Sequence, residues 1–217
     1  MSTDLWSERA DAYRASRVHR EGADLDLLVE WAKPGPGVTA LDVATGGGHV
    51  ARRLREAGCT VVSSDPAPGM QPDVICRAEH LPFDGASFDV VTCRIAAHHF
   101  DDVRAAVTEI ARVARDRVLI EDNTFVDDAS EEADRLRDPS HVRNYTEQEW
   151  VDLLESAGLA VQRIERFVKH LPIDRWFATV RCEGEVAARV RELVAHRLDD
   201  QDRLELPAIL IEARKRR

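Results

Sequence analysis

The sequence predicts an α/β fold built on a mostly parallel sheet, and three observations predict it. From residue 38 to residue 122, short strand-like runs alternate with helical ones. Those runs are β-branched and apolar nearly throughout, so both of their faces are covered, as a parallel sheet between two layers of helices requires. The first run also passes through three consecutive glycines, Gly46, Gly47 and Gly48, straight into an amphipathic helix.

Residues 5–32 read as one or two polar helices, with Leu25, Leu28, Val29 and Ala32 at helical spacing. The prolines and glycines of KPGPG at 33–37 close them. VTALDVA (38–44) is the first strand. Residues 49–57 set Val50, Ala51, Leu54 and Ala57 on one helical face, and Gly58 follows in a C′ position. TVVSSD (60–65), DVIC (73–76), SFDVVTC (87–93) and RVLIED (117–122) read as the next four strands. Residues 101–114 supply a covering helix through Val103, Val107, Ile110 and Ala114, and ARD (114–116) reads as a shortened surface loop. Residues 146–157 supply another helix. Thr146 and Glu149 form a capping box there, Trp150, Leu153, Leu154 and Ala157 share a face, and Gly158 ends it. The tail differs in kind: LAVQRIERFVKHL (159–171) and LPAILIEAR (206–214) read as strands around a helical stretch at 183–198.

Composition narrows the function classes. The 217 residues, 44% of them hydrophobic, support one full core and not two ordinary ones, so a single domain over 1–217 is expected. A net charge of −10 sets the average field against a long polyanion, and no nucleic-acid partner is expected. The four cysteines form no CxxC pair, which argues against a zinc ribbon or a redox dithiol and fits a reduced cytoplasm. The N-terminus, MSTDLWSERADAYRASRVHRE, has no apolar h-region, and no uninterrupted apolar span approaches the roughly 18 residues of a membrane helix. A cytoplasmic protein, monomer or homodimer, away from membranes is the expectation.

The glycine turn carries the first functional signal. After a strand and opening a helix, Gly46, Gly48 and Ala51 satisfy the spacing of a nucleotide-binding turn, where absent side chains let the backbone bend sharply and approach a ligand. Asp65 ends the next strand, where a carboxylate can accept from ribose hydroxyls. A dinucleotide would need its pyrophosphate on the helix N-terminus. Here Asp42 sits just before the loop, a carboxylate better suited to a cationic ligand such as a sulfonium with a free amino group.

At these residues the sequence resembles the class I S-adenosylmethionine-dependent methyltransferases, in particular the small ubiquinone/menaquinone-biosynthesis-like group. The likeness is carried by LDVATGGGHVA (41–51), Asp65 with PAPGM (66–70), AEHLPFDGASFDVV (78–91), RIAAHHF (94–100), IEDN (120–123) and RDPSHVRNYTEQEW (137–150). It implies a Rossmann-like three-layer sandwich whose seven-stranded sheet is ordered 3-2-1-4-5-7-6 with an antiparallel last strand, in agreement with the strand-like pair in the tail. It also implies an N-terminal helical cap (1–37), a cofactor-binding half (38–122) and a substrate half with the C-terminal hairpin (123–217).

The resemblance further implies roles. Asp42 and the 44–48 backbone, including Ala44, Thr45, Gly46 and Gly48, would surround the methionine moiety of S-adenosylmethionine. Asp65 would hold the ribose, with Pro66 and Met70 in the turn that follows. Ala78 and Glu79 would flank adenine, the Arg94 carbonyl would accept from the ammonium, and Tyr13 would close over the cofactor. The chain departs from the family in three places. Residues 66–77 are too few for the usual helix before the third strand, so that helix should be short or absent. Arg77 stands where relatives carry an aspartate that accepts from the adenine amino group; a guanidinium cannot accept, and is expected to stack on the ring or pair with Glu79. The usual KPGG turn before the fifth strand is replaced by ARD.

Methyl transfer needs alignment in a dry pocket, and a base only where the nucleophile must lose a proton. Candidates at the carboxyl ends of strands are His98 and His99, with Asp122 and Asn123 after the fifth strand, joined by His141 and Tyr145 from the following loop. We expect His98, His99 and His141 to carry the catalysis and Asp122, Asn123, Tyr145 and Trp176 to meet the substrate. No metal is expected, because the spacing of Cys93, His98 and His99 matches no common site. The expected function is methylation of a small-molecule acceptor at O, N or C. The alternatives are an NAD-dependent oxidoreductase on the same turn and a non-catalytic S-adenosylmethionine-binding protein.

Overall fold

Every strand-like run becomes a strand: β1 (Thr39–Val43), β2 (Thr60–Asp65), β3 (Val74–Ile75), β4 (Phe88–Arg94), β5 (Ala114–Asn123), β6 (Leu159–Pro172) and β7 (Arg203–Lys215). They form one sheet in the order β3-β2-β1-β4-β5-β7-β6, parallel except for β7, which runs antiparallel to both β5 and β6. This is the predicted Rossmann-like sheet, tail hairpin included. The structure, a computed structural model, describes residues 3–15 and 20–216, without the side chains of Thr3, Asp4, Ala12, Tyr13 and Ala15.

The helices cover the sheet as the periodicities require. α1 (Thr3–Ala15) and α2 (Ala23–Ala32) precede β1, and α3 (His49–Glu56) follows the glycine turn. α4 (Val103–Val113) leads into β5, and α5 (Asp128–Arg137) and α6 (Glu147–Ser156) lie between β5 and β6. Strand residues alternate between two cores. Leu41, Val43, Val91, Cys93, Val118 and Ile120 pack with Val107, Ile110, Trp150 and Leu154 of α4 and α6. Their neighbours Ala40, Val90 and Leu119 pack with Leu25, Leu28, Val50 and Leu54 of α2 and α3. A strand's period of two thus builds both layers from one run, which is why these strands are apolar throughout. The capping box at Thr146 and Glu149 is present, and Gly58 and Gly158 follow their helices with positive φ.

A separate cluster joins α5 to α7 (Ile173–Ala178) and α8 (Gly184–Leu193) through Ala133, Ile173, Trp176, Phe177 and Val190. The shortened β2–β3 connection is a single 3-10 turn, Pro68–Met70, with α1 packed on it. The approach is so close that a Cβ on Gly69 would stand 2.5 Å from Ser7 Cα, so only glycine fits. One expectation is corrected. ARD (114–116) is not a loop: α4 runs directly into β5, whose first residue, Ala114, pairs with Phe88 and is buried. The Arg112 guanidinium donates to the Leu81 and Phe83 carbonyls, which anchors the end of α4 against the preceding loop and leaves no turn to be made. Among the described residues no helix is long and apolar enough to cross a membrane.

Candidate active site

The parallel register aligns the carboxyl ends of the central strands. Val43 lies opposite both Ser64 and Cys93, and Cys93 opposite Ile120, so the next residues, Ala44, Asp65, Arg94 and Glu121, share the sheet's carboxyl edge. Ligands of open α/β sheets bind there. Two residues without the freedom of glycine hold positive φ on this edge: Ala44 at +52° and Ile95 at +51°. For β-branched Ile95 the left-handed region is costly, and such strain persists where surrounding structure imposes it. Here β1 and β4 both turn outward at the same edge. Between them opens a cleft with about 1010 Å³ of empty space, its mouth included.

The glycine turn forms one wall. Gly46 (φ +51°) lines the cleft, and a Cβ there would meet no atom within 4 Å, so the space a side chain would fill is the cleft itself. Gly46 N–H donates to Asp65 Oδ2 at 3.0 Å, and Ala67 N–H donates to Oδ1 at 2.9 Å. Each oxygen therefore accepts one backbone bond and keeps capacity for another. Burial raises the Asp65 carboxyl above its ordinary range, against those two bonds. Asp42 is deeper. It accepts from Thr45 Oγ1 at 2.5 Å, Thr92 Oγ1 at 2.8 Å and the Ala51 N–H at 3.2 Å, holding the start of α3 onto β1 and β4. Burial nevertheless pushes its pKa up to about 6, because among the described residues no cation pairs with it and the more distant Arg94 offsets little of the lost water.

Opposite the turn, Arg77 donates to Glu79 Oε1 at 3.3 Å and to Asp101 Oδ2 at 2.5 Å. Glu79 Oε1 also accepts from the backbone N–H groups of Asp101 and Asp102. Arg94 sends its side chain away from this wall, into a buried ion network with Asp24 of α2 and with Glu121, 2.9 Å from Nε. Lys169 of β6 closes the network, 2.6 Å from Asp24 and 3.0 Å from Glu121. Burial pushes Glu121 up to about 7 against the pull of Arg94 and Lys169, while Asp24, buried but paired, is held well below the usual carboxylate range.

The histidines form one cluster of tilted and edge-on rings. The His98 ring lies 4.1 Å from that of His99 and 5.5 Å from that of His141. His98 Nδ1 sits 2.5 Å from Asp122 Oδ1, and its backbone N–H donates to Oδ2 at 2.8 Å. Burial works to lower the His98 pKa, but the Asp122 carboxylate overrides it and the net shift is upward. His99 is lowered well below its ordinary value by burial and by the adjacent His98. Its Nδ1 faces the Ser140 carbonyl at 3.0 Å, an acceptor only, so Nδ1 carries the proton and Nε2 of the neutral ring is bare. Ser140 is held by Asp138, which Arg9 of α1 grips at 3.1 and 3.2 Å.

Most of the sequence-predicted residues meet at this cleft. Asp42, Ala44, Thr45, Gly46 and Asp65 line it with Pro66, Met70, Arg77, Ala78, Glu79 and Arg94, and of the three histidines His99 does. Gly48 stands just behind the turn with φ +74°. His98 and His141 pack behind His99, and Asp122 spends its oxygens on His98 and on the Asn123 N–H. Asn123 pairs with Ala208 in the sheet, and Tyr145 packs on Trp150 under Arg143; neither lines the cleft. Trp176 is buried in the α5–α7–α8 cluster beneath Arg137, 4.2 Å from its ring, and the structure does not bring it to the cleft. The Tyr13 side chain lies outside the described residues. Trp6, His49, Ile95 and Phe100 line the cleft without having been assigned from sequence, and only His49, directly after the glycines, had a positional signal.

Comparison with known proteins agrees with this geometry. Residues 41–120 match the methyltransferase domain family. The chain is 32% identical over 213 residues to the uncharacterized methyltransferase YcgJ of Bacillus subtilis (strain 168), covering 88% of this chain and 83% of that protein. It is 34% identical to the Escherichia coli (strain K12) protein YafE over 121 residues, where the match spans 52% of this chain and 58% of YafE. The crystal structure of a Bacillus halodurans C-125 protein, described provisionally as a methyltransferase, superposes with a TM-score of 0.80 at 27% identity, covering 90% of this chain and all of that one. The YcgJ crystal structure superposes with a TM-score of 0.77 at 29% identity over 89% and 98% of the two chains. The family sets aside the dehydrogenase reading of the glycine turn: with its seven-stranded sheet and this ancestry, the chain belongs to the class I S-adenosylmethionine-dependent methyltransferases.

Proposed function

We propose that this enzyme methylates a small molecule, with S-adenosylmethionine lying along the carboxyl edge of β1, β2 and β4 and the acceptor presented to His99. The observation that carries the reading is that one cleft is lined both by carboxylates suited to the cofactor and by His99, a neutral imidazole whose Nε2 carries no proton. The donor set fits the cofactor. Asp65 keeps acceptor capacity for ribose hydroxyls, Gly46 leaves its side-chain volume to the ligand, and Asp42 is a desolvated carboxylate that pairs with no cation among the described residues. The pair Glu79–Arg77 borders the adenine end, where Arg77 anchors Glu79 rather than accepting from the base. The cofactor supplies an electrophilic methyl group. The protein's share is alignment, exclusion of water and, for a protic acceptor, a place for the proton on His99. His98 and His141 back that ring, and Asp122 orients His98. A screen of a metabolite library for S-adenosylhomocysteine release tests the reading; binding of S-adenosylmethionine with no turnover on any small acceptor, and turnover on a macromolecule, would sink it.

Asp65→Ala is expected to weaken S-adenosylmethionine binding by roughly 1.5–3 kcal/mol, the range for removing a charged hydrogen-bond partner. Calorimetry reads it, and unchanged affinity would show that Asp65 does not hold the ribose.

Affinity should also depend on pH. A cationic ligand favours ionised Asp42, whose carboxyl in the free protein titrates at about 6. Affinity therefore rises as pH increases through 6, levels off above it, and falls by up to about tenfold per pH unit below it. Arg94, a cation that acts on Asp42, is engaged with Asp24 and Glu121 and stays charged throughout. Titrations from pH 5 to pH 8, repeated with Asp42→Asn, separate this from the ligand's own ionisation; an identical profile in both proteins would count against Asp42.

A further inference from the structure

We propose that the end of α5 and the loop after it form a site for a divalent transition-metal ion, ligated by Glu131, Asp134, His141 and Asn144. Glu131 and Asp134 are three residues apart on α5 and so share a face of the helix. The loop returns His141 and Asn144 to that face. One ligand atom from each of Glu131, Asp134 and His141 lies within 4.8 Å of the others. Ligand atoms at bonds of about 2.1 Å around a tetrahedral ion stand roughly 3.4 Å apart. His141 Nε2 already stands 3.4 Å from Glu131 Oε2, and side-chain rotations that draw the remaining atoms together close the site.

An independent observation points to a ligand. Asn144 is buried, and its side-chain carbonyl oxygen Oδ1 has no hydrogen-bond partner. Its Nδ2 donates to Asp134 Oδ2 at 2.9 Å, which sets the orphaned oxygen of the same amide beside the cluster. Turning the amide over would point that oxygen at a carboxylate, so rotation brings no relief. Buried polar atoms are almost always satisfied, and an ion held jointly with the carboxylates satisfies this one. The second oxygen of Glu131 already accepts from the Asn144 N–H at 2.9 Å, which orients the carboxylate as hydrogen bonds around metal ligands do. Of the cations that face the cluster, Arg135 reaches Glu131 at 3.2 Å from a largely exposed position and Arg137 reaches only 4.0 Å from Asp134, so both are modest competitors.

The donor set names the class of ion. Two carboxylates and an amide carbonyl with one imidazole give three oxygens and one nitrogen. The imidazole disfavours calcium and magnesium and suits zinc or its divalent first-row neighbours. Sequence spacing pointed to Cys93, His98 and His99 as the residues to consider and found no site there; these four are different residues. The ion would also stiffen the wall behind the cleft, because Val142 and Arg143 N–H groups donate to the His98 carbonyl and Ser140 accepts from His99.

The test uses the full chain after chelation. Zinc titrated by calorimetry should bind with a stoichiometry of about one and raise the melting temperature. Asp134→Asn and Asn144→Ala should each weaken binding at least about tenfold, the least that removing a ligand costs when its supporting partners alone cost that much. Cobalt added to the unsubstituted chain should give visible d–d bands without a thiolate-to-cobalt charge-transfer band, a readout that needs no variant to fold. A thiolate band, zinc affinity unmoved by either substitution in folded protein, or no binding of either ion would overturn the proposal. Methyl transfer enters none of these measurements, so the two readings fail separately.

Discussion

Gly46→Val abolishes measurable S-adenosylmethionine binding, a loss of at least about 100-fold, in a chain that still folds. Two costs combine. Residue 46 holds φ +51°, where a β-branched side chain carries strain of about 1–3 kcal/mol. The added side chain also enters empty cleft rather than protein, so its bulk falls on the ligand and not on the core. Gly46→Ala separates the terms: a single methyl keeps the backbone penalty with little of the bulk, and its loss of affinity should be markedly smaller. Calorimetry with a melting curve on each variant reads both. Retained binding in Gly46→Val would remove the glycine turn from the site.

His99→Gln lowers turnover about 10²–10⁴-fold for a protic acceptor, with cofactor affinity intact, because positioned proton transfer contributes that much. The geometry singles out His99 within the cluster. Its ring lines the cleft, and its Nδ1–H is committed to Ser140, which leaves Nε2 to accept. Gln at this position can still hydrogen-bond but cannot take a proton at neutral pH. A loss confined to KM would make His99 a positioning residue. Unchanged kcat and KM would take it out of the site. Asp122→Asn offers a graded comparison, since it acts on His99 only through His98, whose Nδ1 and backbone N–H it holds.

Much of this was legible in local sequence. The strands announced themselves through unbroken β-branched runs, and TVVSSD matches β2 to the residue. The capping box at Thr146 and Glu149 and the glycines after α3 and α6 are also signals written within a few residues. The glycine turn, Asp42 before it and Asp65 after the next strand were found for the same reason: a βαβ unit places them by chain geometry alone. Even ARD failed locally, since a short polar stretch between helix and strand reads as a turn unless the burial of Ala114 is known.

The tertiary structure alone decided what depends on distant partners. Arg94 had a role through its backbone, while its side chain proved to tie Asp24, Glu121 and Lys169 from three other elements together. His98, His99 and His141 were candidates of equal standing until packing turned one ring to the cleft and set two behind it. Trp176 was equally credible as substrate wall or core until α8 was seen to fold over it. Sequence by itself determined the fold, the glycine turn and the family, because short-range spacing controls backbone conformation and the faces that are buried. It could not determine side-chain partners, protonation or which ring meets the ligand. Those depend on charges and surfaces brought together across more than a hundred residues, as Arg9 meets Asp138, and desolvation sets their energies only once the chain has closed around them.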